Sequence, residues 1–238
     1  MTDLSKYRKT LKAIQQLEPH EQVQQQAMQL STSEHLDVLR TWQAQRLERT
    51  YSDLLASPRY GAACRFFLSD IYAAKDFRQR DYEIKHLYAI MSRFLPDFLL
   101  GLVKRAIELY DLTNRLDEEL LSVLRQDLHV TDMITPELYA EGYRICNNYD
   151  QRAYQIELIG QVGRMVETGT KIPLVGTSLK LARIPAQKTG WIELHDFIYR
   201  GFHAFRRMHG ADVFLQAIHD REMGILDRIF AGDPYPFS

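Results

Sequence analysis

RFFLSDIYAAKDFRQRD, residues Arg65–Asp81, is the stretch whose reading sets the fold class. Phe66, Phe67, Leu68, Ile71 and Tyr72 recur at helical rather than alternating spacing. The Ala73–Asp76 segment then turns a corner. Asp76 is placed to cap the next helix, because its carboxylate accepts backbone N–H groups left free in the first turn. Arg80 and Asp81 follow in the early turns. The stretch is therefore a helix–corner–helix joint. Arg65, Asp70, Asp76, Arg80 and Asp81, with Arg78 between them, are expected to form an ion-pair cluster that locks the two helices. The other reading is an anion held by the arginines. The lock is favoured, since acids and bases here satisfy each other.

The chain on either side repeats the helical period. Leu4, Tyr7, Leu11, Ile14 and Leu17 make an N-terminal stripe that ends at Pro19. Ser31–Ser33 supply an N-cap, and Leu36, Leu39, Trp42, Leu47, Tyr51, Leu54 and Leu55 carry a helix to about Ala56. Ser57-Pro58 restarts the chain, and Tyr60 to Tyr72 is predicted to be a mostly buried helix. Ile84, Leu87, Tyr88, Met91 and Phe94 mark the next face, which Leu95-Pro96 closes. Phe98 to Leu128 follows, either as one helix or as two broken after Thr113-Asn114.

Thr135-Pro136 is a start signal, with an N-cap hydroxyl and a proline at the first position. Asn147-Asn148 punctuates, and Gly169 is expected in the left-handed conformation after the helix that follows. Lys171 to Lys188 predicts only a short helix around Ser178–Arg183. Trp191 to Met208 and Ala211 to Phe230 predict two more helices, separated by His209-Gly210. The Pro-containing tail, Gly232–Ser238, is expected to be an exposed end. There is no strand-like alternation, hairpin dipeptide or fixed-period repeat. The expected fold is all-α: a single-domain multi-helix bundle over residues 1–238, of about eight to ten helices by this count. A sub-boundary falls near 130–135 or 169–188, and a haem-oxygenase-like arrangement is one form of it.

Composition bounds the function. The chain has 238 residues, 45% hydrophobic and 26% charged, with a formal net charge of −1. That is ordinary globular composition without the basic excess that nucleic acid rewards. Two separated cysteines form neither a metal-ligand spacing nor a disulfide framework, and point to a reduced, cytoplasmic setting. No apolar run reaches the ~18–20 residues of a membrane span, and the charged N-terminus lacks the features of a secretion signal.

Four constellations carry chemistry. Glu83 with His86 forms E-x-x-H, and His219 with Glu222 forms H-x-x-E. Residues three apart share a helix face, so each pair offers oxygen and nitrogen to a metal ion, with Glu48 as a further carboxylate. A second E-x-x-H in the same sense is missing from the di-metal bundle pattern. Exposed Glu/His pairs are the plainer account. His195, Tyr199 and His203 fall on one line of a helix flanked by Phe202, Phe205 and Met208, the setting for a haem or organic cofactor. Packing, with the histidines at its wet edge, is the plainer account there. Lys171, Lys180, Arg183 and Lys188 form a basic segment without an acid between Glu167 and Glu193; it suits a membrane surface or acidic partner, though four charges over that length are sparse. The Arg65–Asp81 cluster is the fourth. No nucleophile elbow, P-loop or dinucleotide fingerprint is present.

FFLSDIY, KDF and RD at Phe66–Tyr72, Lys75–Phe77 and Arg80–Asp81, with GFHAFRRM at Gly201–Met208, resemble an uncharacterised family of bacterial helical proteins. Those proteins carry FFL-x-x-LY followed by KDF-x-x-RD. The likeness runs from about Trp42 onward. It departs at Ile71, where leucine is expected, and at Ala73-Ala74, where glycine is usual. It implies an all-helical fold and a bacterial source, and brings no activity with it. The expectation is thus a protein that binds a partner or small ligand without catalysis. The alternative is a metal- or cofactor-dependent bundle enzyme of haem-oxygenase-like or ferritin-like type. Self-association remains compatible with either.

Overall fold

The computed structural model describes residues 36–68, 97–131, 133–172, 175–189 and 192–238. Nine helices occur among the described residues: α1 (36–50), α2 (Ser52–Ala56), α3 (Gly61–Phe66), α4 (Asp97–Gln126), α5 (Pro136–Cys146), α6 (Tyr149–Thr170), α7 (Val175–Thr189), α8 (Ile192–Met208) and α9 (Asp212–Phe230). No strand occurs among them. The all-helical expectation holds. The N-terminal stripe, the Ser31–Ser33 cap, the Ala73–Asp76 corner and the helix after it lie outside the described residues.

Helix α6 is the hub, packing against α4, α7, α8 and α9. Its small residues let neighbours come close. A Cβ on Gly163 would sit 2.4 Å from Leu215 Cδ2 of α9, so any side chain there would push the two helices apart. Gly142 does the same for α5, where a Cβ would meet Leu120 Cδ1 of α4 at 2.7 Å.

Two main apolar clusters result. Leu47, Tyr51, Leu54, Cys64, Phe66, Ile159, Phe205, Met208, Phe214, Leu215 and Ile218 form one, joining α1–α3 to α6, α8 and α9. Leu36, Leu39, Leu120, Leu121, Leu124, Ile134 and Tyr139 form the other, joining α1, α4 and α5. Burial of such side chains is worth roughly 1.5–3 kcal/mol each before entropy is counted.

Helix ends follow the sequence signals in part. Thr135 Oγ1 accepts the Leu138 N–H at 3.3 Å, with Pro136 at the first position of α5. Asn147 closes α5 at φ 49°, a left-handed cap that asparagine tolerates. Between α8 and α9, His209 and Gly210 both have positive φ. Arg59 Nε donates to the last α8 carbonyl, Met208 O, at 2.7 Å.

Of the two readings of Phe98 to Leu128, the single helix is the one observed: α4 runs unbroken through Thr113-Asn114. Both residues are helix-compatible when their side chains bond outward, and Asn114 Oδ1 accepts from Arg40 at 2.8 Å. Gly169 is not a left-handed cap: it is buried within α6, which continues to Thr170 and ends at Lys171, φ −84°. Helix α7 covers Val175–Thr189, longer than the short segment expected, and continues through Pro185. The tail is docked rather than free. Phe237 packs edge-on against Trp42 and Tyr139, with ring centroids at 5.8 and 5.9 Å. Arg228 Nε donates to Pro236 O at 2.9 Å.

Candidate functional site

Between the apolar clusters lies a polar chamber. Each contributing helix breaks its apolar stripe with a polar residue one turn from core leucines, isoleucines or tyrosines. Helix α1 gives Gln43 and Arg46, between Leu39 and Leu47. Helix α4 gives Thr113 and Asp117, beside Leu116 and Leu120. Helix α5 gives Tyr139 and Tyr143. Helix α6 gives Arg152 and Gln155, one turn before Ile156 and Ile159. Helix α9 gives Glu222, ahead of Ile225, Leu226 and Ile229. These side chains, with Phe237 from the tail, line a cavity of about 50 Å³. That is room for a few waters or one small solute.

The network is dense. Arg46 Nη1 meets Glu222 Oε1 at 2.6 Å, and the Tyr51 hydroxyl donates to the same oxygen at 2.7 Å. Gln43 Nε2 donates to Asp117 Oδ1 at 3.2 Å and to the Tyr139 hydroxyl at 3.3 Å. Tyr139 in turn donates to Tyr143 at 2.9 Å. Arg152 gives Nη2 to Leu116 O at 2.8 Å and Nη1 to Gln155 Oε1 at 3.1 Å. Its contact with Asp117 Oδ1 is looser, at 3.5 Å. The guanidinium lies over the Tyr143 ring, 4.6 Å from the centroid. Gln155 Nε2 donates to Thr113 Oγ1 at 2.8 Å.

Burial works against the Arg46 charge, but Glu222 beside it overrides this and raises its pKa above the ordinary value. Arg152 behaves alike: burial opposes its charge, and the Asp117 carboxylate favours it. Burial drives the Tyr143 phenol well above its ordinary range, so it stays protonated. The chamber thus holds two guanidinium cations and two carboxylates, Asp117 and Glu222, formally balanced.

The balance of charge is not a balance of hydrogen bonds. Arg46 and Arg152 are 8% and 4% exposed, and the Nε–H of each is buried without an acceptor. Both residues line the chamber, and the unmet group on each is a donor. An unmet buried polar group costs roughly 1–3 kcal/mol. The missing partner is therefore an acceptor.

A much larger groove, about 1230 Å³, runs between α4 and α6. Five of its polar side chains are paired with one another. Arg105 Nη1 donates to Glu108 at 2.8 Å, Tyr154 donates to Glu108 at 2.6 Å, and Arg115 donates to Gln151 at 3.1 Å. The small chamber, not the wide groove, carries the unfilled chemistry.

The residues singled out from sequence fall elsewhere, with one exception. His195, Tyr199 and His203 do share a line on α8: Tyr199 stacks against His195 at 5.9 Å and leans on His203 at 4.3 Å. His195 is buried, with its Nε2 donating to Leu179 O of α7 at 2.7 Å. Burial, with Lys180, Arg206 and Arg207 nearby, lowers the His203 pKa. Of the metal set, Glu48 is exposed. His219 sits 3.9 Å from Glu157 and 3.2 Å from Asp220. Glu222 is the exception, facing the chamber and committed to Arg46 and Tyr51. Glu83 and His86 lie outside the described residues, as do Asp70, Asp76, Arg78, Arg80 and Asp81 of the ion-pair cluster. Arg65, its remaining member, is exposed, with Nη1 3.5 Å from Leu55 O. Among the described residues, no three His, Cys, Asp or Glu side chains converge as a metal site.

Gln43, Arg46, Asp117, Arg152 and Gln155 were missed by sequence reasoning. Their signal was present: each is a long or charged polar residue three or four positions from core apolar residues on the same face.

An all-helical domain with a buried, acceptor-deficient polar chamber is the class that fold and site define. Residues 22–236 match a family described as a domain of unknown function, DUF8198, and the chain belongs to that family. No curated protein and no solved structure matches it. Among the described residues, no helix is long and apolar enough to cross a membrane.

Proposed function

We propose that the protein binds a small solute bearing an acceptor oxygen, a carboxylate, carbonate or urea-like carbonyl, in the chamber between α1, α4, α5, α6 and α9. The observation that carries this is the pair of buried Nε–H donors, Arg46 and Arg152, on the wall of one cavity. Two desolvated guanidiniums cost several kcal/mol each to bury unless fully satisfied. Hydrophobic side chains would fill the same space at lower cost. An occupant that accepts from both gives the arrangement a purpose. The Tyr143 phenol, kept protonated, is a further hydroxyl on the wall. Nothing in this role calls for catalysis or nucleic acid. The free thiols Cys64 and Cys146 accord with a reducing, cytoplasmic setting. The enzyme alternative rests partly on Glu83 and His86, outside the described residues.

Thermal unfolding with acetate, bicarbonate and urea, alongside NMR of the arginine Nε–H groups, tests the reading. At least one solute should raise the midpoint saturably and move the Arg46 and Arg152 Nε–H resonances, and Arg46→Met or Arg152→Met should abolish the response. If either variant fails to fold, the wild-type resonances still decide. Nε–H groups that ignore all three solutes and exchange freely with water would mean that the chamber holds water alone.

A further inference from the structure

Helix α7 presents a face that the chamber does not use. Leu181 and Ile184 are 70% and 63% exposed, one helical turn apart on its outer side. Lys180 and Arg183 are exposed beside them, and the polar residues Thr177 and Gln187 extend the face at either end. Ahead of the helix, Ile172 and Lys171 are also exposed. The opposite side of α7 is the packed one: Gly176 lies against the Phe202 ring of α8, and His195 donates to Leu179 O. The outer ridge is therefore fixed in place by the bundle.

Charge is one-sided here although the whole chain is near neutral. From Thr168 to Ile192 the sequence has Lys171, Lys180, Arg183 and Lys188 and no acid. Glu167, just before it, is already engaged by Lys171 Nζ at 3.0 Å. An aliphatic ridge flanked by cations matches an interface that is apolar just below an anionic layer.

The shape narrows the occupant further. Neither the chamber nor the wide groove reaches α7. Aliphatic side chains that stand out from the bundle beside cations suit a deformable lipid surface better than an acidic peptide, which docks into a concave seat. We infer that α7 docks the protein reversibly on anionic lipid surfaces, with Leu181 and Ile184 entering the acyl boundary and Lys180 and Arg183 meeting the headgroup phosphates.

Co-sedimentation of the full chain with vesicles tests this. Vesicles of phosphatidylcholine mixed with phosphatidylglycerol should bind at least about tenfold more protein than phosphatidylcholine alone. High salt should weaken the binding. Leu181→Ser/Ile184→Ser and Lys180→Glu/Arg183→Glu should each lower it by about tenfold or more. All four side chains are exposed, so the pairs leave the fold intact, and circular dichroism checks this. Equal binding to both vesicle types, or none, overturns the inference. So does a dimer that disappears in Leu181→Ser/Ile184→Ser while vesicles are ignored, because the ridge is then a self-association surface. Binding of polyglutamate that depends on Lys180 and Arg183 alone, with no lipid preference, overturns it in favour of an acidic protein partner.

Discussion

The apolar cluster beneath α8 and α9 and the chamber beside it are built from the same helices, α1, α6 and α9, by opposite means. In the cluster, Leu47, Met208 and Phe214 are at most 1% exposed, and their contacts are non-directional. Any occupant of similar volume would serve. In the chamber, Gln43, Asp117, Arg152 and Gln155 are nearly as buried, yet every contact needs a partner at a set distance. The cluster maximises stability per residue. The chamber gives up stability to hold polar groups out of water, and does so with two donors left over.

The largest effect expected belongs to the cluster. Phe214→Ala should lower unfolding free energy by about 3–5 kcal/mol, because a large ring is lost and the helices around it cannot collapse fully. Urea unfolding measures it. A loss below ~1 kcal/mol would mean that the cluster tolerates cavities and is not the stabilising half of the comparison.

The next effect separates the halves by sign. Arg152→Met should cost about 3 kcal/mol, since it strands Asp117 and Gln155 without a cation. Adding Asp117→Leu should recover most of that, because replacing both members of a buried pair by apolar groups is often neutral or stabilising. In the cluster no second substitution of that kind restores what Phe214→Ala removes. A double variant as unstable as the sum of the two single changes would break the contrast and make the polar network a structural requirement.

The sequence disclosed these two regions unequally. The stripe Leu47, Tyr51 and Leu54 and the run through Phe202, Phe205 and Met208 announce a core by period alone, since burial of apolar groups needs only a shared face. Thr135-Pro136 announces a helix start because its cap is local. Gly169 misled, since a glycine that looks like a cap can instead sit buried in a helix. The chamber was hidden for a different reason. Gln43 and Asp117 are 74 positions apart, and Arg46 and Glu222 are 176 apart. Each alone resembles one more polar residue on an amphipathic helix. Only the packing of five helices turns them inward together. The donor surplus that gives the chamber its chemistry is a property of three-dimensional pairing, and no spacing rule encodes it. The aromatic–histidine line on α8 was legible, because all three residues lie on one helix.

The smallest effect expected lies at the rim, where an ion pair like those of the chamber stands in water. Arg221 grips Asp53 through both oxygens, at 2.7 Å each, and its guanidinium carbon lies 5.8 Å from the Tyr51 ring centre. The Asp53 side chain is 59% exposed, so solvent screens the pair and Asp53→Asn should cost less than about 1 kcal/mol at neutral pH. Its pH dependence is still distinctive. The hydrogen bonds from Arg221 lower the Asp53 pKa from 3.8 to about 2. A carboxylate with a depressed folded pKa contributes stability above its unfolded value and loses it as pH falls through the folded one. The small advantage of wild type over Asp53→Asn should therefore be complete above the ordinary aspartate value, shrink between pH 3.8 and about 2, and vanish below. Carbon-detected NMR of the Asp53 carboxyl reads the same quantity site by site, with an expected midpoint near 2. A midpoint at 3.8 would show that Arg221 does not hold Asp53 in solution. The contrast between a buried polar network and an exposed strap that only tethers α2 to α9 would then lose its outer member.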